Sequence, residues 1–98
     1  MKELDNKVQK KIIDLVSALV PQAKIYLYGS RARGTNDEWS DIDIALDAGD
    51  KLSNTIIDEV KSVLDATNLP YKFDVVDFNR VSSDMQESIK RDRKVWKQ

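Results

Sequence analysis

The stretch 25–46, IYLYGSRARGTNDEWSDIDIAL, holds the residues whose types and spacing could do chemistry together. Gly29 ends a run of strand formers, and glycine lets the backbone turn sharply and come close to a ligand. Ser30 opens the short segment SRAR. If that segment forms one helical turn, its free N–H groups and the Ser30 hydroxyl suit an anionic oxygen, with Arg31 and Arg33 adding positive charge beside it. Downstream, Asp41 and Asp43 alternate with Ile42 and Ile44, so a strand would project both carboxylates from one face and both isoleucines from the other. Adjacent carboxylates repel, and carboxylate oxygen suits a hard cation such as Mg²⁺ or Mn²⁺. Such a pair can hold two ions about 3.5 to 4 Å apart, which clamps the attacking and leaving oxygens of a phosphoryl transfer. The chemistry expected is that of a phosphate-and-metal site.

Positioning these groups requires a small set of elements. Leu4, Val8, Ile12, Leu15 and Leu19 recur at helical intervals, predicting an amphipathic helix over 3–20 that Pro21 helps to end. Strands are expected over 24–28 and 41–47, the second broken by Gly49, with a polar turn over 35–40 between the loop and the second strand. Leu52, Ile56, Ile57, Val60, Val63 and Leu64 mark a helix over 53–67, closed by Asn68 and Pro70. The aromatic and β-branched run YKFDVVDF predicts a third strand over 71–78. Ser83 with Gln86 resembles a capping box for a last helix, whose inner face Met85, Ile89 and Trp96 would line; in KRDRKVWK, Val95 and Trp96 are expected to be buried under a solvated face. This order implies an α/β (α+β) fold with a mixed three- or four-stranded sheet and helices mainly on one face.

Bulk properties restrict the function classes. Ninety-eight residues suit one domain, 1–98, burying about 60–70% of its unfolded surface. No apolar run approaches the roughly 20 residues of a membrane span, and MKELDNKVQKK lacks the apolar centre of a signal peptide. No cysteine or histidine is present, so thiolate sites, disulfides and the usual zinc ligand are excluded, leaving carboxylates and metals for catalysis. Sixteen basic against 17 acidic residues leave a net charge of −1, which disfavours direct nucleic-acid binding. A cytoplasmic location is the expectation from these features.

Gly29-Ser30, ten intervening residues, then Asp41-x-Asp43 resembles the signature of the DNA polymerase β-like nucleotidyltransferase superfamily. GSRARG followed by SDIDIAL is similar to its minimal nucleotidyltransferase members in particular. The resemblance implies transfer of AMP from ATP to an acceptor hydroxyl with two Mg²⁺ ions, Mn²⁺ being an alternative. It implies that Gly29, Ser30, Arg31 and Arg33 bind the nucleotide, and that a third acidic residue on the next strand joins Asp41 and Asp43. Asp74 and Asp77 have opposite parity, so only one can share that face. Asp74 is chosen, since it lies inside the strand between core-facing Phe73 and Val75. Arg31 and Arg33 have a second reading, as surface partners of Asp37, Glu38 and Asp41. Trp39 reads as loop packing, with a base or partner contact as the alternative.

After the third strand little chain remains to bind an acceptor. Minimal members of the superfamily are commonly encoded beside a HEPN-type helical protein, so the resemblance implies an antitoxin that adds AMP to a toxin partner. The alternative is an NTP-binding module that neutralises its partner by docking alone. Both a hetero-oligomer and a homodimer remain open.

Overall fold

The computed structural model describes residues 4–98. A four-stranded sheet in the order β3-β2-β1-β4 is built from β1 (Lys24–Tyr28), β2 (Ile42–Asp47), β3 (Phe73–Asp77) and β4 (Lys94–Lys97). β1 runs antiparallel to β2 and β4, while β2 and β3 are parallel. The helices are α1 (Asn6–Leu19), the short α2 (Gly29–Arg33), α3 (Asn54–Asp65) and α4 (Ser83–Asp92).

Period-two patterning gives the sheet two different faces. Ile25, Leu27, Ile42, Ile44, Leu46, Phe73 and Val75 point into one core with Ile12 and Val16 of α1 and Val60 and Leu64 of α3. On the other face Tyr26, Tyr28 and Ala45 meet Phe78 and Ile89, the latter from α4. Two helices therefore share one face and α4 lies against the opposite one. Ile42, Ile44 and Leu46 are fully buried, each contributing roughly 1.5–3 kcal/mol by burial. That anchorage exceeds the cost of mutually repelling carboxylates on the other side of β2.

Helix starts follow side-chain capping. Asp5 accepts from the Lys7 N–H at 2.7 Å to begin α1, and Ser53 accepts from Ile56 at 3.2 Å to begin α3. The expected beginning of the first helix at residue 3 lies outside the described residues. The last helix is capped by Ser82, one residue before the predicted Ser83, through a 3.2 Å bond from the Met85 N–H. Gln86 does not close a box; its amide donates to the Phe78 carbonyl at 2.8 Å.

The C-terminal segment departs most from expectation. Arg93 is extended (φ −61°, ψ 148°), so the helix stops at Asp92 and residues 94–97 pair with the free edge of β1 as β4. Val95 is 45% exposed rather than buried, and Trp96 packs from a strand. No Gly or Pro marks this break; the β-branched and aromatic pair Val95-Trp96 gains a partner strand that helical continuation would forgo.

Candidate active site

Gly29 joins β1 to α2 with φ at +74°, a conformation that favours glycine. The chain passes so close to β2 that a Cβ on Gly29 would fall onto Asp43 Oδ2. The turn glycine and the carboxylate are thus a matched pair. α2 starts at Gly29 without a side-chain cap: Tyr28, its N-cap residue, is extended (φ −131°, ψ −172°) and makes no capping bond. Gly34 closes the turn in the left-handed conformation, its N–H donating to the Ser30 carbonyl.

Register aligns three polar groups across the sheet. Tyr28 stands opposite Asp43, and Asp43 opposite Asp74, forming one row over β1, β2 and β3 on the face that α4 only partly covers. Asp41 lies just ahead of β2, exposed, where Ile42 N–H already pairs with the Lys72 carbonyl at 2.9 Å. Asp43 is pushed up to about 6, first by burial, then by the negative charges of Asp74 and Asp41; Arg33 and Arg31 act in the opposite direction. Tyr28 donates to Asp74 Oδ2 at 3.4 Å, and its hydroxyl is held strongly in the protonated form by burial and by Asp74 and Asp43. Sequence reading missed this hydroxyl, because the facing carboxylate lies 46 residues away.

The two arginines do not behave alike. Arg31 is only 6% exposed: Nε donates to the Ser40 carbonyl and Nη2 to the Glu38 carbonyl, both at 3.0 Å, while the guanidinium lies 5.0 Å from the Tyr71 ring centre. Arg31 thus engages two backbone carbonyls of the loop and the face of Tyr71, contacts that neither reading of the sequence included. Arg33 is more open, with a 3.6 Å ion pair to Asp92 at the end of α4. A cavity of about 350 Å³ lined by Leu27, Arg31 and Trp96 includes none of the three carboxylates. Trp39 is 62% exposed and tilted 36° against Tyr71.

The other carboxylates near the sheet have structural partners. Asp77, on the α1/α3 side, is 4% exposed and accepts from the Leu52 N–H at 2.7 Å and the Asn79 N–H at 3.0 Å. Asp47 shares the open face with Asp43; burial alone would raise its pKa, but bonds from Asn79, the Gly49 N–H and Tyr26 outweigh that and lower it. Asp77→Ala is expected to cost about 2–4 kcal/mol in urea denaturation, because the buried Leu52 N–H and the part-buried Asn79 N–H lose their acceptor. Asp74→Asn, at an exposed site, is expected to change stability by less than about 1 kcal/mol.

Donor chemistry at the site fits a divalent cation. Asp43 has a carboxylate on either side, Asp41 along the chain and Asp74 across the ladder, all hard oxygen donors. No group of three acidic side chains converges on a single point among the described residues. Asp43 is instead the shared member of two neighbouring pairs.

The glycine turn, Asp41 just ahead of β2, Asp43 within it and Asp74 of the parallel neighbour lie together at one end of the sheet. The family model “Polymerase beta, Nucleotidyltransferase” matches residues 10–97, and the chain belongs to that family. It is similar to the protein adenylyltransferase MntA of Shewanella oneidensis, 36% identical over 90 residues, covering 90% of this chain and 64% of that relative. A solved toxin-antitoxin with AMP-PNP is 35% identical with a TM-score of 0.78, covering 90% of this chain and 71% of the other. A tri-AMPylated Shewanella oneidensis HEPN toxin in complex with MNT antitoxin is matched at 29% identity and a TM-score of 0.64, covering 90% and 67%.

Proposed function

We propose that the chain works as a single cytoplasmic nucleotidyltransferase domain that transfers AMP from ATP to a hydroxyl of a HEPN-type toxin partner and so acts as its antitoxin. The observation that carries this reading is the row of Asp43 and Asp74, flanked by Asp41, beside an α2 whose start no side chain caps. Support for the acceptor comes from the relatives, named protein adenylyltransferase and captured with an AMPylated HEPN toxin.

In this reading Ser30 and the backbone N–H groups at the Gly29 turn hold the triphosphate, and Arg33 neutralises part of its charge. Asp41, Asp43 and Asp74 are the residues that would hold Mg²⁺, as two ions, or Mn²⁺; when bound, the metal neutralises phosphate charge and eases loss of the acceptor proton. Asp74 orients the acceptor hydroxyl and receives its proton. The acceptor oxygen forms a bond to the α-phosphorus as the bond to pyrophosphate breaks, a step that needs chiefly alignment and charge stabilisation.

The test incubates purified protein, Mg²⁺ and labelled ATP with its HEPN-type partner, followed by mass spectrometry of the partner. A partner carrying added AMP, lost in the Asp41→Asn, Asp43→Asn double variant while binding persists, is the expected result. ATP binding and neutralisation without any labelled product would instead establish docking alone.

A further inference from the structure

We infer that Arg31 is a positioning residue for the Asp41 carboxylate: it clamps the loop of residues 38–40 against α2 and thereby fixes where that metal-holding group stands. The inference deepens the proposed reaction and rests on Asp41 serving as a metal ligand.

The clamp acts at the peptide next to Asp41. Arg31 Nε bonds the Ser40 carbonyl, which belongs to the peptide unit that ends in the Asp41 nitrogen, and Nη2 bonds Glu38 O two residues earlier. On the other side of Asp41 the Ile42 N–H is tied to the carbonyl of Lys72, the residue just ahead of β3. Asp41 is therefore held by its backbone from both directions although it is exposed. Within the loop, Asp37 adds local order by accepting from the Trp39 N–H at 2.9 Å and from the Ser40 hydroxyl at 3.2 Å. Tyr71 lies under the guanidinium and beside Trp39, so the planar fork is fixed in orientation as well as in reach. Lysine cannot reproduce that arrangement, since one ammonium lacks the fork that spans two carbonyls.

Charge and positioning predict opposite signs for one substitution. A positive group near a cation site weakens cation binding by repulsion, so Arg31→Gln would strengthen it if charge were all that mattered. Loss of the clamp weakens it, because a ligand released from its supports costs about tenfold or more in metal affinity.

The experiment measures Mn²⁺ binding by electron paramagnetic resonance, and metal-free ATP binding by calorimetry, for wild type, Asp43→Asn, Arg31→Lys and Arg31→Gln. Expected results are Mn²⁺ affinity about tenfold or more below wild type in both Arg31 variants, with metal-free ATP affinity of Arg31→Lys within about twofold. Unchanged Mn²⁺ affinity in Arg31→Lys, tighter binding in Arg31→Gln, or loss of metal-free ATP binding in Arg31→Lys would each overturn the assignment. Wild type that binds no Mn²⁺, or binds it as Asp43→Asn does, would instead remove the metal-site reading beneath it. Should the Arg31 variants fail to fold by circular dichroism, Tyr71→Leu takes their place. It withdraws the ring under the guanidinium and is expected to lower Mn²⁺ affinity severalfold; wild-type affinity there would overturn the clamp.

Discussion

Asp43→Asn is expected to make the metal-free protein more stable at pH 7 while lowering AMP transfer by about 10³-fold or more. The stability effect follows from a carboxylate whose pKa in the folded state, about 6, lies above the ordinary 3.8. The folded protein then binds more protons than the unfolded chain between those values. Stability of the wild type consequently falls as pH rises from about 4 to about 6, and the full penalty is present above 6. At 1.36 kcal/mol per pH unit the upper bound is ~3 kcal/mol, and screening of a partly exposed side chain reduces it to on the order of 1 kcal/mol. For a domain of this size that corresponds to a melting temperature about 4–8 °C higher for the Asn variant at pH 7, with the difference vanishing near pH 4. Saturating Mg²⁺ should reverse the order by stabilising only the wild type, by about 2.7 kcal/mol at a hundredfold excess over Kd. Calorimetric melting at both pH values, with and without Mg²⁺, reads all of these effects.

Gly29→Ala is expected to be the most damaging of the glycine-to-alanine substitutions. Two penalties coincide there. At φ +74° an L-residue costs roughly 1–2 kcal/mol, and the added Cβ meets Asp43 Oδ2, an overpacking cost of about 1–3 kcal/mol. Gly34, at φ +77°, has nothing within 4 Å of the same methyl position, so Gly34→Ala carries the backbone cost alone. Urea denaturation should therefore place Gly29→Ala about 2–5 kcal/mol below wild type, with Gly34→Ala about 1–2 kcal/mol below. The clash predicts a specific coupling. Adding Asp43→Ala to Gly29→Ala should recover the steric part, giving a double-mutant interaction energy of about 1 kcal/mol or more, whereas adding it to Gly34→Ala should give none. Equal losses at the two glycines would show that the close approach of β2 to the turn does not matter.

Residues whose partners are near in sequence were legible before the structure. Val8, Ile12, Val16 and Leu19 place α1 by period alone, and Ile42 and Ile44 place the back of β2 in the same way. The parity argument correctly separated Asp74 from Asp77, because alternation is a property of any strand. β4 was not legible. Lys90 to Lys97 has no breaker, and its change from helix to strand is decided by the free edge of β1, some 70 residues earlier, as the pairing of Tyr26 with Val95 shows. Arg31 was equally hidden. Its type suggests a phosphate or a surface carboxylate, and its bonds to two main-chain carbonyls and its place over the ring of Tyr71 are contacts that no side-chain pattern announces.

By itself the sequence determined which residue types were available for phosphate and metal chemistry, and which of them share a strand face, since residue type and local backbone periodicity are intrinsic to the chain. Only the tertiary structure decided which carboxylates stand together. The parallel register of β2 and β3 brings Asp74 beside Asp43, and the closeness of β1 to β2 makes Gly29 the one residue that fits beneath it. Such juxtapositions depend on strand order and register, which are set by packing of distant apolar faces rather than by any local preference.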